Sequence, residues 1–138
     1  MSSGLPTRAF QPSLDTQAFW DATVNGSFLL RECTACETII WYPRPHCPEC
    51  GSTGVEWITS SGRGVIYSFT VTRSGQGAWK PVGPYVLAYV ELDEGPRVLT
   101  NIVGCDPGDI RIGMPVHVVF DDAVEGAAIY RFTPTTTG

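Results

Sequence analysis

The sequence has no long apolar segment, no apolar N-terminal region and little charge. Its longest apolar run extends only from Tyr85 to Val90, whereas a helix needs about 20 apolar residues to cross a bilayer. Residues 1–11 contain one Arg and no apolar core, unlike a secretory signal peptide. We therefore predict no membrane segment, reduced cysteines and a cytoplasmic location.

Clusters of basic residues are also absent. Nine Lys and Arg residues are scattered among 14 Asp and Glu residues, and the net charge is −5 at pH 7. Nucleic-acid backbones attract clustered Lys and Arg side chains. The composition therefore disfavours a general nucleic-acid-binding protein and leaves open only a local basic groove.

Familiar catalytic and nucleotide-binding motifs are missing too. Neither GxGxxG nor GxxxxGK[ST], the glycine-rich loops that hold phosphates, occurs in the chain. Cys105 and His117 have no partner that a motif defines, so we interpret Cys105 as a small buried residue and His117 as a surface or core residue. No catalytic residue is predicted.

What the sequence does contain is a pair of CxxC motifs, Cys33/Cys36 and Cys47/Cys50. Each CxxC folds into a tight knuckle that points both sulfurs at one centre, and four thiolates complete the tetrahedron that Zn²⁺ accepts. Such a site has no open position for water or substrate. The spacing therefore predicts one structural zinc ion.

Three alternatives concern this site. Disulfides are disfavoured by the spacing and by the missing secretory signal. A single iron ion in place of zinc remains an alternative, because four cysteines can also bind iron. His46 lies outside the paired spacing and is interpreted as a surface histidine. Gly51 suits the crowded backbone after a knuckle, and Glu37, in the equivalent place of the first knuckle, suits it less well.

The remaining pattern is mainly β, with one short N-terminal helix from Ser13 or Asp15 to about Val24. Three short strands around the cysteines predict a zinc ribbon, and five further strands match a Greek-key barrel of the OB type, with a half-open sheet as the alternative. We predict three parts: an arm and helix (1–26), the ribbon (27–60) and the OB-fold domain (61–138). The predicted strands are 27–32, 39–42, 55–58, 65–73, 85–92, 97–103, 116–120 and 128–132, joined by a flexible loop at 74–83 and a short helical segment or turn at 106–110.

Large aromatic residues are numerous for such small parts. On the first barrel strand, Val65, Tyr67, Phe69 and Val71 are predicted to share one face. Aromatic side chains also serve as interface anchors, so partner contacts are one hypothesis for four of them. The four are Phe19, Trp20, Trp41 and Trp79. The alternative is that they pack in the chain's own core, with Trp79 folding over the barrel mouth.

The order of motifs resembles the DUF35 family of acyl-CoA-associated zinc-ribbon and OB-fold proteins. A Phe-Trp helix is followed by the two CxxC pairs with Pro43-Arg44-Pro45 between them, then Gly62-x-Gly64-Val65-x-Tyr67-Ser68-Phe69, Pro84-Tyr85-Val86, Val90-Glu91-Leu92-Asp93-Glu94-Gly95 and Gly113-Met114-Pro115-Val116. The resemblance runs from about Leu14 to Phe132, and Glu37 departs from the glycine often seen in the family.

This resemblance implies a non-catalytic subunit or domain that binds a thiolase-superfamily enzyme, such as the thiolase-like aldolases that cleave steroid side-chain acyl-CoA thioesters. Some family members are fused to or associated with MaoC-like hydratases, and the polar start suggests a domain of a longer polypeptide. An acidic chain is a poor host for anionic CoA, so acyl-CoA contact is expected to be at most indirect. Two alternatives remain: a single-stranded nucleic-acid module, and an independent acyl-CoA-binding protein that uses Arg44, Arg63, Arg73 or Lys80.

Overall fold

The computed structural model describes residues 5–7, 12–121 and 127–135. Helix α1 (Gln17–Val24) begins later than predicted because Ser13 and Thr16 first form a turn. The Thr16 N–H donates to the Ser13 carbonyl at 3.1 Å and the two hydroxyl groups lie 3.0 Å apart. Thr16 is the N-cap residue, so the prediction of Ser13 or Asp15 as the cap is wrong.

Strands β1 (Leu29–Cys33), β2 (Ile39–Ile40) and β3 (Val55–Thr59) form an antiparallel sheet in the order β2-β1-β3. The Arg31 guanidinium lies 3.8 Å from the ring centroid of Trp57, its register partner on β3. The three predicted ribbon strands are thus present, and β1 ends on the first metal-ligand candidate, Cys33.

A closed barrel contains the other five strands, β4 (Arg63–Thr72), β5 (Tyr85–Leu92), β6 (Arg97–Ile102), β7 (Pro115–Phe120) and β8 (Tyr130–Pro134). The order is β4-β5-β6-β8-β7, and β7 pairs back onto β4. Only β6 and β8 run parallel among the paired strands that the structure describes. This arrangement confirms the five-stranded OB fold and excludes the half-open sheet.

The side chains of β4 do not keep the single alternation that the sequence predicts. A register shift between Ile66 and Ser68 inserts one extra residue opposite β5, and a bulge of this kind reverses the alternation of side chains along the strand. Ile66, before the bulge, is buried and Tyr67 is 46% exposed, whereas after the bulge Phe69 and Val71 pack against the core. The prediction that Val65, Tyr67, Phe69 and Val71 share one face is therefore wrong, because the first two point outward and the last two inward.

The segment between β4 and β5 was predicted as a flexible loop, but Gly77–Val82 forms a 3-10 helix. Its Trp79 ring packs against Tyr85 with the ring centroids 4.6 Å apart. A second 3-10 helix, Pro107–Asp109, confirms the helical segment expected before β7. The Asp106 carboxylate caps it by accepting from the Gly108 N–H at 2.9 Å.

One apolar core runs through the helix, the ribbon and the barrel. Phe19 of α1 meets the edge of Phe28 at 5.4 Å between ring centroids, and Phe28 stacks on Trp41 of the ribbon at 5.2 Å. Tyr130 and Phe132 of β8 complete the cluster from the barrel side. We refer to these five residues as the aromatic cluster.

Side-chain hydrogen bonds also fix the joint between ribbon and barrel. The Glu94 carboxylate accepts from the Ser60 hydroxyl and from the Ser61 backbone N–H, both at 2.8 Å.

The division of the chain at 26/27 and 60/61 stays a prediction. Among the described residues, no helix is both long enough and apolar enough to span a bilayer.

A buried polar network links β6, β8 and the N-terminal segment. The guanidinium of Arg131 donates to the Asp121 carboxylate at 3.0 Å and to the Asn101 side-chain oxygen at 2.6 Å. It also donates to the Pro6 carbonyl at 2.9 Å. Because a buried charge is costly unless paired and hydrogen-bonded, these partners allow Arg131 to be buried on the outer side of β8, where it holds the N-terminal segment against the strand.

Candidate metal centre

The two CxxC motifs form knuckles with the same backbone hydrogen bonds. In the first, the Glu37 N–H donates to the Cys33 carbonyl at 2.8 Å, and in the second the Gly51 N–H donates to the Cys47 carbonyl at 2.9 Å. Gly51 has φ +77° and Glu37 has φ +64°. The first knuckle therefore holds a non-glycine residue in the left-handed region that favours glycine.

The knuckles bring four sulfur atoms together. The Sγ atoms of Cys33, Cys36, Cys47 and Cys50 all lie within 4.8 Å of one another. Cys33 and Cys50 are 3.6 Å apart at their Sγ atoms, and so are Cys36 and Cys47. A tetrahedral zinc site with Zn–S bonds of about 2.3 Å has sulfur–sulfur edges of roughly 3.8 Å. The cluster therefore fits a tetrahedral metal ion.

The same distances decide against a disulfide. All five cysteines are free, and a disulfide would require sulfurs about 2.05 Å apart. Cys33 and Cys47 are buried beside Ile40, whereas Cys36 and Cys50 are exposed. A metal held by these four ligands would have one buried and one exposed side and no open coordination position, which is the arrangement of a structural site.

Local hydrogen bonds and crowding push two thiol pKa values apart. Hydrogen bonds from the Thr38 side chain and backbone lower the pKa of Cys36 to about 6. A backbone hydrogen bond from Ser52 favours the Cys50 thiolate, but the adjacent Cys36 and Cys33 sulfurs outweigh it and raise the pKa of Cys50 to about 12. Four thiolates this close need a cation between them, which is the chemistry that a divalent metal supplies.

The aromatic residues chosen as partner contacts lie elsewhere in the fold. Phe19 is 0% exposed and Trp20 is 8% exposed, and the Trp20 ring nitrogen donates to the Tyr42 hydroxyl at 3.3 Å. Trp41 is half-buried in the aromatic cluster and Trp79 is half-buried against Tyr85. The single chain thus packs all four against itself, and their contact with a partner stays a prediction.

The four basic candidates for ligand binding do not converge. Arg44 is exposed in the ribbon loop, and Arg63 lies opposite His117 in the β4–β7 register, where both line a cavity of about 320 Å³. Arg73 lines a different cavity of about 320 Å³, and Lys80 is exposed on the first 3-10 helix. The role of these residues in ligand binding stays a prediction.

Both the ribbon and the barrel match domain models of known protein families. The family model described as "ChsH2, rubredoxin-like zinc ribbon domain" matches residues 20–56, and the model described as "ChsH2, C-terminal OB-fold domain" matches residues 57–121. A DUF35 domain-containing scaffold protein of Methanothermobacter thermautotrophicus is 38% identical over 112 residues, which cover 76% of this chain and 84% of that protein. The chain belongs to the DUF35 family. As in a zinc ribbon, its four clustered cysteines are the ligands of one structural zinc ion.

Other relatives of this DUF35 chain are parts of larger acyl-CoA enzymes by name. It is 41% identical over 118 residues to a "Probable enoyl-CoA hydratase alpha subunit" of Thermomonospora curvata (85% of this chain, 37% of that protein). It is 36% identical over 122 residues to the "3-oxo-4,17-pregnadiene-20-carboxyl-CoA hydratase alpha subunit" of Mycobacterium tuberculosis (88% and 38%). The chain therefore spans little more than a third of the length of these two relatives.

Two further matches carry the names of carbon–carbon bond enzymes. The "Benzoylsuccinyl-CoA thiolase subunit BbsA" of Thauera aromatica is 32% identical over 79 residues, which cover 57% of this chain and 53% of that protein. The solved structure "Ltp2-ChsH2(DUF35) aldolase" superposes with a TM-score of 0.79 at 34% identity and covers 91% of this chain and 98% of the matched chain.

Proposed function

We propose that this DUF35 chain is a non-catalytic accessory subunit or domain that binds and stabilises a thiolase-superfamily enzyme acting on acyl-CoA thioesters. The observation that carries the proposal is the likeness to the chain in the Ltp2-ChsH2(DUF35) aldolase. It covers 98% of that chain at 34% identity and so includes the ribbon and the barrel together.

The chemistry of the metal site supports an accessory role. A zinc ion held by four thiolates has no position for substrate or water and acts by stabilising the fold. The barrel interior is filled by side chains such as Ile66, Val90, Val98 and Phe132, all at most 1% exposed. A substrate would therefore have to bind at the surface of this chain or on its partner.

The names of the relatives support a particular class of partner enzyme. An aldolase and a thiolase subunit both make or break carbon–carbon bonds, and the Thauera and solved-structure matches carry those names. The Mycobacterium relative carries a steroid acyl-CoA in its name and is a hydratase subunit. We accordingly place the chain beside a thiolase-like aldolase or thiolase, with a MaoC-like hydratase as a further associate and steroid side-chain degradation as the candidate pathway.

Affinity capture in the native host tests this function. The tagged chain, purified with its zinc, is expected to retain a thiolase-superfamily enzyme in a fixed ratio. That enzyme, purified alone, should show a lower melting temperature or lower acyl-CoA activity than the reconstituted pair. Capture of no acyl-CoA enzyme, or an enzyme whose stability and activity ignore the chain, would contradict the proposal.

One observation favours independent acyl-CoA binding as a second candidate. A cavity of about 470 Å³ lies between the two 3-10 helices and is lined by Val82, Tyr85 and Cys105 among others. It shares Pro84 and Pro107 with the cavity that Arg73 and Asp106 line, so a groove of mixed polar and apolar lining adjoins a cation. Calorimetric titration of the isolated chain with coenzyme A should then give binding that Arg73→Gln weakens and Arg44→Gln does not.

A further inference from the structure

From Tyr85 to Val90, strand β5 is apolar on both of its faces, although one face is open in the single chain. Val86, Ala88 and Val90 point into the barrel and are at most 2% exposed. Leu87 and Tyr89, on the opposite face, are 37% and 46% exposed. An antiparallel strand with one face in water normally alternates apolar and polar residues, whereas a strand covered on both faces reads as a continuous apolar run. The residues of β5 therefore fit a strand that is covered on its outer side.

The apolar surface continues onto both neighbouring strands. Tyr89 is the register partner of Leu99 on β6, which is 46% exposed. On β4, Val65 and Tyr67 point outward beside the same strand. We call the resulting surface the β4–β6 face, defined by Val65, Tyr67, Leu87, Tyr89 and Leu99.

This face has relief into which another surface can pack. Two shallow concavities of about 210 and 260 Å³ share Leu87 and Leu99 in their linings, so these two side chains form a ridge between them. The larger concavity reaches Trp20 of α1 and Ile129. The face therefore extends from the barrel to the N-terminal helix.

Charge argues against a nucleic acid as the occupant. The Arg97 guanidinium lies 3.8 Å from the Tyr67 ring centroid, and its Nε donates to the Glu91 carboxylate at 3.1 Å. Arg97 is thus already paired at the face, and Arg131, which lines the larger concavity, is paired with the Asp121 carboxylate. Single-stranded nucleic acids need aromatic residues together with a positively charged groove, and this chain carries a net charge of −5.

Area and charge together argue against a second copy of this chain. The five side chains expose roughly 400 Å² in total, about half of what one partner contributes to a standard interface. Two identical faces would therefore make a small contact between two chains that each carry a net charge of −5 and repel one another. A larger partner with an uncharged apolar patch can cover the face and extend beyond it.

We propose that the β4–β6 face is the surface on which the chain binds an apolar patch of its thiolase-superfamily enzyme; this inference rests on the proposed function. Half-exposed Tyr and Leu side chains at the centre of such a contact become fully desolvated, which is how a few residues come to dominate affinity. Tyr89 and Leu99 lie side by side at this centre.

The test uses the full chain with zinc and the purified enzyme from the native host that the capture experiment supplies. Tyr89→Lys and Leu99→Lys are expected to weaken binding at least 30-fold, the size of a hot-spot effect. Leu14→Lys is the matched control, because Leu14 is 96% exposed and lies outside the face, and it should bind like the wild type. Leu99→Gln is a milder second variant, and zinc content and melting temperature verify that each variant is folded.

The outcomes separate this inference from the proposed function. If the wild-type chain binds the enzyme and both Lys variants bind equally well, the face is not the docking surface, although the accessory role stands. If the wild type binds no such enzyme, the proposed function fails and the assigned occupant fails with it. A wild-type dimer that Leu99→Lys makes monomeric, or an oligonucleotide affinity that Tyr89→Lys abolishes, would instead assign the face to a second copy or to nucleic acid and overturn the inference.

Discussion

Replacing Phe19 distinguishes a core role from a partner contact for the aromatic helix. Phe19 is 0% exposed and meets the rings of Trp20, Phe28, Trp41 and Tyr130 at centroid distances of 4.9, 5.4, 5.4 and 6.0 Å. Truncating a fully buried Phe to Ala typically costs about 3–5 kcal/mol. Because small domains have a total stability of about 5–15 kcal/mol, Phe19→Ala should lose a large part of it.

Phe19→Leu provides the graded companion variant. It keeps most of the apolar volume and loses the edge-to-face ring contacts, so we expect a loss of about 1–2 kcal/mol. Urea denaturation followed by tryptophan fluorescence measures both losses. An unchanged slope of the free energy of unfolding against urea concentration verifies that the same surface is exposed on unfolding. Phe19→Leu should capture the partner enzyme like the wild type.

A loss of less than about 1 kcal/mol of stability in Phe19→Ala would contradict the core role of Phe19. A Phe19→Ala variant that stays folded and no longer captures the enzyme would instead assign Phe19 to the interface, and the packing in the aromatic cluster would not be that of the working protein.

Three further perturbations have defined outcomes. Cys36→Ser should release the zinc and unfold the ribbon, while Cys105→Ser keeps it, as measured by metal content and thermal melting; normal zinc content in the first variant would contradict the four-cysteine site. Burial raises the pKa of Tyr130 to about 12; because the folded-state pKa lies above the unfolded value of about 10, stability should fall by roughly 3 kcal/mol as the pH rises from 10 to 12. Tyr130→Phe should remove that part of the alkaline loss in denaturation series, and an unchanged profile would refute its origin. Glu37→Gly should stabilise the ribbon by about 0.5–1 kcal/mol in chelator-titrated melts because φ is +64° there, and no gain would mean that this conformation is unstrained.

The parts of the fold that sequence predicts well are those with strong local signals. The four cysteines, with their knuckle spacing, form the cluster as expected, and β5 begins and ends at the predicted residues, Tyr85 and Leu92. Strong boundaries explain the latter, because Pro84 precedes the apolar run and a turn at Asp93 follows it. The OB topology followed from the number and spacing of strands and is confirmed.

The features that the sequence did not reveal depend on contacts between distant segments. The bulge after Ile66 depends on the pairing of β4 with β5, and the packed position of the Trp79 ring depends on its contact with Tyr85. The burial of Phe19 depends on the ribbon and β8 closing around it. The β4–β6 face does have a signal in the sequence, because the unbroken apolar run of β5 is too short for a membrane span and is typical of a strand covered on both faces.

The position of β8 in the barrel orders the assembly of the chain during synthesis. Among the strands that the structure describes, β8 comes last in the sequence but lies between β6 and β7, and its Phe132 side chain is 0% exposed in the core. A growing chain folds from its N-terminus as it leaves the ribosome, so the ribbon, complete at Thr59, can take up zinc while the barrel is still open. Until Tyr130–Pro134 emerges, β6 and β7 each keep an unpaired edge of the kind that pairs with other chains. During that interval the growing barrel therefore exposes two strand edges to other chains.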